Sequence, residues 1–404
     1  MNLPDMVAYA IRSLHIRSLR SWLTILGIIV GITSMVLLVG MVQGLKNDVE
    51  DQLQAFGPRT IIITPTDVTK AAAYGGTTMA PTAGKLYETD YERVRRVAAI
   101  DTITKVIMGR MNAEYKDEAI SASVYGIDAD KYQSTSETLE IDTGRFISAN
   151  ERGAVVFGSD IAENGFKKKV ELGSVIKLSG KQFRVVGILK KSGSSISGVD
   201  NVIFMPLEDA RQLLGDSLAE NEISAMRIII KDGSDPDEAA NDIEAIMLSS
   251  HRVTEDNKDF SLVTASFINS QVEQTTSLLS LFLGAIAGIS LLVGGIGISN
   301  TMFMSILERR REIGVLKAVG MTEWKIMQLF VIESSLIGIA GGVLGLVLGA
   351  ALLALVGALG FPSALPSYVV AGALVFSAAI GFISGFLPAR QAAKLDPVEA
   401  LRYE

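Results

Sequence analysis

The stretch WLTILGIIVGITSMVLLVGMV (Trp22–Val42) decides the fold class. It lies in a run from Ser21 to Leu45 with no ionisable side chain, and a bilayer core of about 30 Å takes about 20 apolar residues to cross as helix. Arg12, Arg17 and Arg20 precede it, as basic residues precede a secretory leader. A leader's apolar core, however, is about 7–15 residues long and ends at a small-residue cleavage site. Here the run is longer and ends in MVQGLKN, so a retained span is expected.

Three more runs follow far downstream: Gln274 to Leu307, Leu336 to Ser367 with a polar start at Lys325, and Tyr368 to Leu387. We expect membrane cores at Leu278–Ile298, Ile332–Leu352 and Tyr368–Leu387. The last two are separated by GALGFPSALPS (Gly357–Ser367), whose two prolines suit a tight turn rather than continued helix. Basic residues near the span ends set the orientation. One side receives Arg12, Arg17 and Arg20, then Arg309, Arg310, Arg311, Lys317 and Lys325, then Arg390, Lys394 and Arg402. Both termini are therefore expected in the cytoplasm of a plasma-membrane protein, with residues 46–273 outside. That long segment carries 26 basic and 36 acidic residues, so the acidic balance of the whole chain, −7, resides there.

Glycines recur at four-residue spacing in the spans: Gly27 and Gly31, Gly284 and Gly288, Gly341 with Gly345 and Gly349, and Gly381 and Gly385. Such spacing lets helix backbones approach closely. It fits packing within one bundle and fits a subunit interface equally.

Between the first two spans lie about 230 residues, room for one or two compact units. No breaker interrupts Asp48–Phe56 or Ser266–Gln274, so both flanking helices are expected to extend beyond the lipid as stalks. TIIIT (Thr60–Thr64) reads as a strand, and residues 69–85 as a loop rich in Gly, Ala, Thr and Pro. Thr89-x-x-Glu92 is a capping-box pattern for a helix through Ala99, followed by ITKVIMG as a strand. The order repeats with AMRIIIK, a helix opened by Asp235-Pro236-x-Glu238, and FSLVTA. Ala239, Ile243, Ile246 and Met247 fall on one face of that second helix. Between these strand–helix–strand units, AVVFG, SVIKLSG, KQFRVVGIL and NVIFMP are short apolar runs with glycine turns, the pattern of a mostly-β module. KKSGSSISG (Lys190–Gly198) reads as a hairpin tip or a partner contact.

The fold class is thus four transmembrane helices per chain plus an extracytoplasmic α+β domain with porter-like units and an inserted mostly-β module. The expected divisions are an amphipathic elbow at 1–20, span one and its stalk at 21–56, and the outer domain at 57–265. Within that domain the porter-like parts are 57–125 and 216–265, and the inserted module is 126–215. Then come stalk and span two at 266–307, a cytoplasmic segment at 308–324, spans three and four at 325–387, and a tail at 388–404.

Chemistry has little raw material. There is no cysteine, which removes disulfides, thiolate zinc sites and cysteine nucleophiles, and the two histidines, His15 and His251, are far apart. No GxxxxGK[ST], HExxH or GxSxG pattern occurs, so no catalytic or metal site is expected in this chain. The informative segment is SILERRREIGVLKAVGMTEWKIMQLFVIES (Ser305–Ser334). Glu308, Arg309, Arg310, Arg311 and Glu312 make a charged patch. Ile313, Leu316 and Val319 form an apolar stripe at helical spacing, Gly320 can stop the helix in a left-handed conformation, and Thr322 with Glu323 can cap the next. A short amphipathic helix between two spans fits a groove in a partner. It equally fits a helix lying on membrane lipid, with Arg309–Arg311 on headgroups. Glu333, near the start of span three, reads as an interfacial carboxylate reaching water or as the partner of a basic residue in this segment.

ERRREIGVLKAVG with FVIE at Glu333 resembles the signature segment of the MacB/FtsX-like ABC transporter permeases. GFLPARQAAKLDPVEALRYE is similar to that family's carboxy terminus, and SLRSWLTILGIIVGI to its elbow and first span. GRFISANERGAVVFGSDIA and KQFRVVGIL resemble its outer core domain. The resemblance implies a permease homodimer that binds two copies of a separate ABC ATPase subunit. ATP and magnesium would sit in that partner, and no cofactor in this chain. Ile313, Gly314, Val315, Leu316 and Lys317 would be the coupling helix in the ATPase groove, with Glu308–Glu312 as its charged shoulder. The implied work is export of a substrate by motion of the outer domain, assisted by an extracellular adaptor or effector protein. The alternative is mechanical regulation of an extracellular hydrolase or signalling partner without transport. No nucleic-acid partner is expected. MacB carries its ATPase in the same chain, whereas this sequence starts at the elbow, from which a separate subunit is expected.

Overall fold

The computed structural model describes residues 18–66, 84–135, 139–192 and 198–402. Most of the elbow expected at 1–20, most of the 69–85 loop, and the centre of the 190–198 tip lie outside them. In chain order the elements begin with α1 (Ser18–Phe56), β1 (Thr60–Thr64), β2 (Leu86–Tyr87), α2 (Glu88–Val94), β3 (Ile100–Tyr115), β4 (Glu118–Ile127) and α3 (Ala129–Ser134). Next are β5 (Ile141–Gly144), β6 (Ala154–Phe157), α4 (Ser159–Asn164), β7 (Val175–Leu178), β8 (Lys181–Leu189), β9 (Val202–Pro206) and α5 (Leu207–Leu214). The chain then forms β10 (Glu222–Ile223), β11 (Ala225–Ile230), α6 (Pro236–His251) and β12 (Ser261–Val263). It ends with α7 (Ala265–Glu308), α8 (Arg310–Ala318), α9 (Glu323–Ala358), α10 (Ser367–Ala393) and α11 (Pro397–Arg402). Two compact units result, Met1–Asp48 with Val272–Glu404, and Val49–Gln271.

In the helical unit, α1, α7, α9 and α10 are, among the described residues, the helices long and apolar enough to cross a membrane. Most of the glycine ladders pack inside this bundle. Ile28, Ile32 and Val36 of α1, one turn apart and buried, lie over Gly341, Gly345 and Gly349 of α9. A Cβ at Gly341 or Gly345 would stand 2.9 Å from the isoleucine Cβ it faces, inside real contact distance. Thr33 adds an interhelical hydrogen bond, its hydroxyl donating to the Gly345 carbonyl at 3.0 Å. Gly27 meets Gly294 of α7 backbone to backbone. A Cβ at Gly381 of α10 would come 2.6 Å from the Ser334 carbonyl of α9. Gly284 and Gly288 on α7 differ, since among the described residues nothing lies within 4 Å of a Cβ built there.

The second unit is built on one ten-stranded sheet, ordered β12-β1-β11-β3-β4-β9-β6-β8-β5, with β7 pairing β3 and β8. TIIIT, AMRIIIK and FSLVTA form β1, β11 and β12, and the four runs read as the mostly-β module form β6 to β9. They share one sheet with the rest because β4 pairs antiparallel with β3 on one edge and parallel with β9 on the other. β3 runs well past ITKVIMG and turns at Lys116, in left-handed conformation at φ 55°, a turn with none of the usual Gly or Asn signals. One core lies under β1 and β11, closed by α2 and α6 through Tyr91, Val94, Ile243 and Met247. Another lies between β3, β4, β8 and β9, with Phe157, Ile176 and Ile203 fully buried.

Both helix starts obey capping chemistry, one of them displaced from its expected place. Asp235 accepts from the Asp237 N–H at 2.8 Å, with Pro236 at the first helical position, in agreement with the sequence pattern. The earlier helix starts at Glu88 and ends at Val94, not Thr89 to Ala99. Asp90, buried, takes the Tyr87 N–H at 2.9 Å and so advances the start. In GRFISANERG the two guanidinium nitrogens of Arg145 reach both Glu151 oxygens at 2.6 and 2.7 Å, closing the turn before β6.

Gly381→Leu is expected to destabilise the bundle by more than the ~1–3 kcal/mol usual for overpacking, because the obstacle is backbone. Gly372→Ala on α10, where nothing described lies within 4 Å of a built Cβ, is expected to leave the thermal midpoint in detergent unchanged or raised, alanine being the better helix former. Arg145 holds the Glu151 carboxyl at about 2, from an ordinary 4.5. A depressed folded-state value means that the stabilisation is present above the ordinary value and fades as pH falls toward 2. The difference in thermal midpoint between wild type and Glu151→Gln is therefore expected to shrink over that window.

Candidate functional site

The segment between α7 and α9 is a helix held at both ends. Arg309 (φ −104°, ψ 15°) breaks the chain between α7 and α8. At the other end Gly320 takes φ 96°. The Gly320 N–H bonds the Lys317 carbonyl at 2.9 Å and the Met321 N–H bonds the Leu316 carbonyl at 3.0 Å, the paired bonds of a Schellman stop. That is the physical reason for glycine in KAVG. Thr322 does occupy the cap position of α9, but its side chain makes no capping bond.

Arg309 is buried, and so is the Glu333 carboxylate of α9. An Arg309 NH1 lies 3.2 and 3.5 Å from the two Glu333 oxygens, its Nε donates to Glu312 at 3.0 Å, and the guanidinium stands 5.6 Å from the Phe330 ring. Phe330 and Glu333 share a face of α9, three residues apart, so one turn presents both a ring and an anion to one cation. The snorkelling reading of Glu333 is thus overturned, with 4% of the residue exposed. A carboxylate this enclosed needs opposite charge beside it, and the buried Arg309 supplies it. Lys317 donates from Nζ to the Leu395 carbonyl at 2.7 Å and lies 3.8 Å from Glu323. Arg310 lies 3.6 Å from Glu399 of α11.

The residues singled out in sequence separate by side. Ile313 and Gly314 are buried, Ile313 in one core with Ile326, Phe330, Ala389, Ala392 and Ala393. Leu316 and Lys317 are half-buried, and Arg310 likewise. Glu308, Arg311, Glu312, Val315 and Val319 are exposed, Val319 at 83%. Arg311 and Val315 lie four residues apart on α8 and line one outward face, which Val319 continues just past its end. Periodicity shows an apolar stripe without showing which apolar residues already have neighbours in the bundle. Phe330, Leu395 and the tail alanines are partners that sequence reading missed. Small residues in ARQAAKL were the available sign of a close approach.

In the sheet unit a second enclosed cation was also missed. Arg227, on β11, is buried, with NH2 donating to the Phe56 carbonyl at 3.2 Å and Nε to the Thr135 carbonyl at 3.2 Å. The Phe56 and Tyr132 rings lie 5.8 and 5.9 Å away. Phe56 is the last residue of α1, where unpaired carbonyls gather negative potential. Burial lowers the guanidinium pKa, yet the group stays charged. The sign in sequence was an arginine inside an otherwise apolar strand.

The family model of the MacB-like periplasmic core domain matches residues 21–246, and that of the FtsX-like permease C-terminal region matches residues 284–397. An uncharacterized ABC transporter permease of Methanocaldococcus jannaschii is 33% identical over all of this chain and 99% of its own length. This chain belongs to the MacB/FtsX-like ABC transporter permeases. The uncharacterized permease YknZ of Bacillus subtilis is 32% identical over the full length of both chains. A macrolide export ATP-binding/permease protein MacB of Marinobacter nauticus is 30% identical over 98% of this permease and 60% of its own length. Family membership makes this permease a membrane protein and implies an ATPase partner.

Arg309→Ala takes from the buried Glu333 carboxylate its guanidinium partner at 3.2 Å, and breaking one side of a buried pair costs about 3–5 kcal/mol. A large fall in the denaturation midpoint of the detergent-solubilised permease is expected. The apolar and neutral pair Arg309→Met with Glu333→Gln is expected to lose less than Arg309→Ala alone.

Proposed function

We propose that this permease is driven by a separate ABC ATPase, two copies to a permease homodimer, and that ATP hydrolysis there moves the sheet unit to export a substrate. One observation supports the reading most. A nine-residue helix is tied by Arg309, Arg310 and Lys317 to its own bundle while Val315 and Val319 stand exposed at 48% and 83%. An apolar face on a firmly held helix suits a groove in a protein that pushes or pulls it. Arg311, Val315 and Val319 enter the ATPase, with Glu308 and Glu312 as shoulders, while Ile313, Gly314 and Lys317 hold the helix from behind. ATP and magnesium belong to the partner. The name of the Marinobacter relative, an ATP-binding exporter of macrolides, agrees with export.

The basic span ends put α8 and both termini in the cytoplasm and residues 46–273 outside. A second permease copy packs on α7, where Gly284 and Gly288 meet none of the described residues of this chain. Val315→Asp tests the coupling face without disturbing the buried side of α8. Loss of an interface anchor is worth about 2 kcal/mol or more, so complex recovery or ATP turnover is expected to fall more than about tenfold. The unaltered complex, weighed in solution, is expected to hold two chains of each kind. Full recovery and full turnover in Val315→Asp would sink the proposal.

A further inference from the structure

Beyond α10 the chain turns at Asp396 and comes back against α8. The Asp396 carboxylate accepts the Val398 N–H at 2.7 Å, and its carbonyl accepts the Ala400 N–H at 2.9 Å. α11 packs on α8 and seats Ala400 with no exposed surface. Two cations of α8 close on this segment. Lys317, its side chain 11% exposed, donates to the Leu395 carbonyl just past the end of α10, where helix carbonyls lack partners. Arg310 faces Glu399, which is 76% exposed, so that pair steers more than it holds. Between them Ile313 shares a core with Ala389, Ala392 and Ala393.

We propose that the carboxy-terminal segment, from Ala389 through α11, is a brace that sets the attitude of the coupling helix, with Lys317 as its positioning residue. This rests on the coupling reading of α8. Helices shorter than about 12–15 residues do not persist unaided, so the position of α8 is only as fixed as its ties. Arg309 pins its first end to α9. With that pin and the Gly320 turn alone, the far end could still swing away from α10, and a push from the ATPase would be spent on that swing instead of moving the bundle. Lys317 supplies the second point by holding the far end to the close of α10. Its ammonium therefore acts toward the tail, not toward the ATPase.

The chain has no cysteine, so a single Ala393→Cys in the buried joint, where Ala393 is 4% exposed, reports docking of the segment by maleimide labelling of the detergent-purified complex. In Lys317→Met, removal of a charge-assisted hydrogen bond is expected to raise labelling about tenfold. The ATPase kcat should fall by a similar factor with KM for ATP unchanged. Lys317→Arg, which keeps a donor for the Leu395 carbonyl, should recover most of both. Ala400→Glu, on the tail side of the joint, should reproduce the Lys317→Met pattern. A lower kcat with the introduced thiol still protected would overturn the brace, since Lys317 would then act on the ATPase directly. Free labelling with unchanged kcat would overturn it as well. If no ATPase accompanies the unaltered chain, the coupling reading itself falls and takes the brace with it.

Discussion

A cation and an anion removed from water together pin one helix of the helical unit to another. Arg309 sits at the break between two helices and Glu333 lies well inside a third, and neither charge has enough exposed surface to be solvated by itself. Each enclosed charge stabilises the other, because loss of either removes a charge-assisted contact from a low-dielectric setting. The pair therefore fixes where α8 leaves α7 and how deep it lies against α9. Phe330, one turn before Glu333, supplies a ring face that fits a guanidinium better than an ammonium.

Around that pin the bundle is assembled by shape. Lipid tails are as apolar as leucine, so helices associate by close packing and a few hydrogen bonds rather than by escape from water. Glycines opposite Ile28, Ile32 and Val36 let α9 approach α1 so closely that a methyl group would not fit. Close approach on three ladders gives the bundle packed faces, while Gly284 and Gly288 meet nothing among the described residues. The same logic of small residues repeats under α8, where alanines of α10 lie in one core with Ile313.

In the sheet unit Arg227 follows the same rule with different partners. Its charge is met by the terminal carbonyl of α1, a second carbonyl and two ring faces instead of a carboxylate. The end of a helix is thereby attached to a central strand, and the strand is locked by β1 on one side and β3 on the other.

The spans were legible because about twenty uncharged residues have few alternatives to a helix in lipid, and the stop at Gly320 was legible because few residues tolerate φ 96°. The strands TIIIT, AMRIIIK and KQFRVVGIL were equally plain, being local runs with local signals. β4 and the end of β3 were not, since their alternation is polar and their turn is made by Lys116. Nor could spacing say which face of α8 was free. Local propensity and hydropathy are properties of neighbouring residues, and they determined the elements. Which glycines met another helix, that Glu333 chose Arg309 over water, and that Ile313 and Gly314 turned inward while Val315 turned out depended on residues dozens to hundreds of positions away. Only the tertiary structure decided those, because only there do distant charges and surfaces compete for the same space.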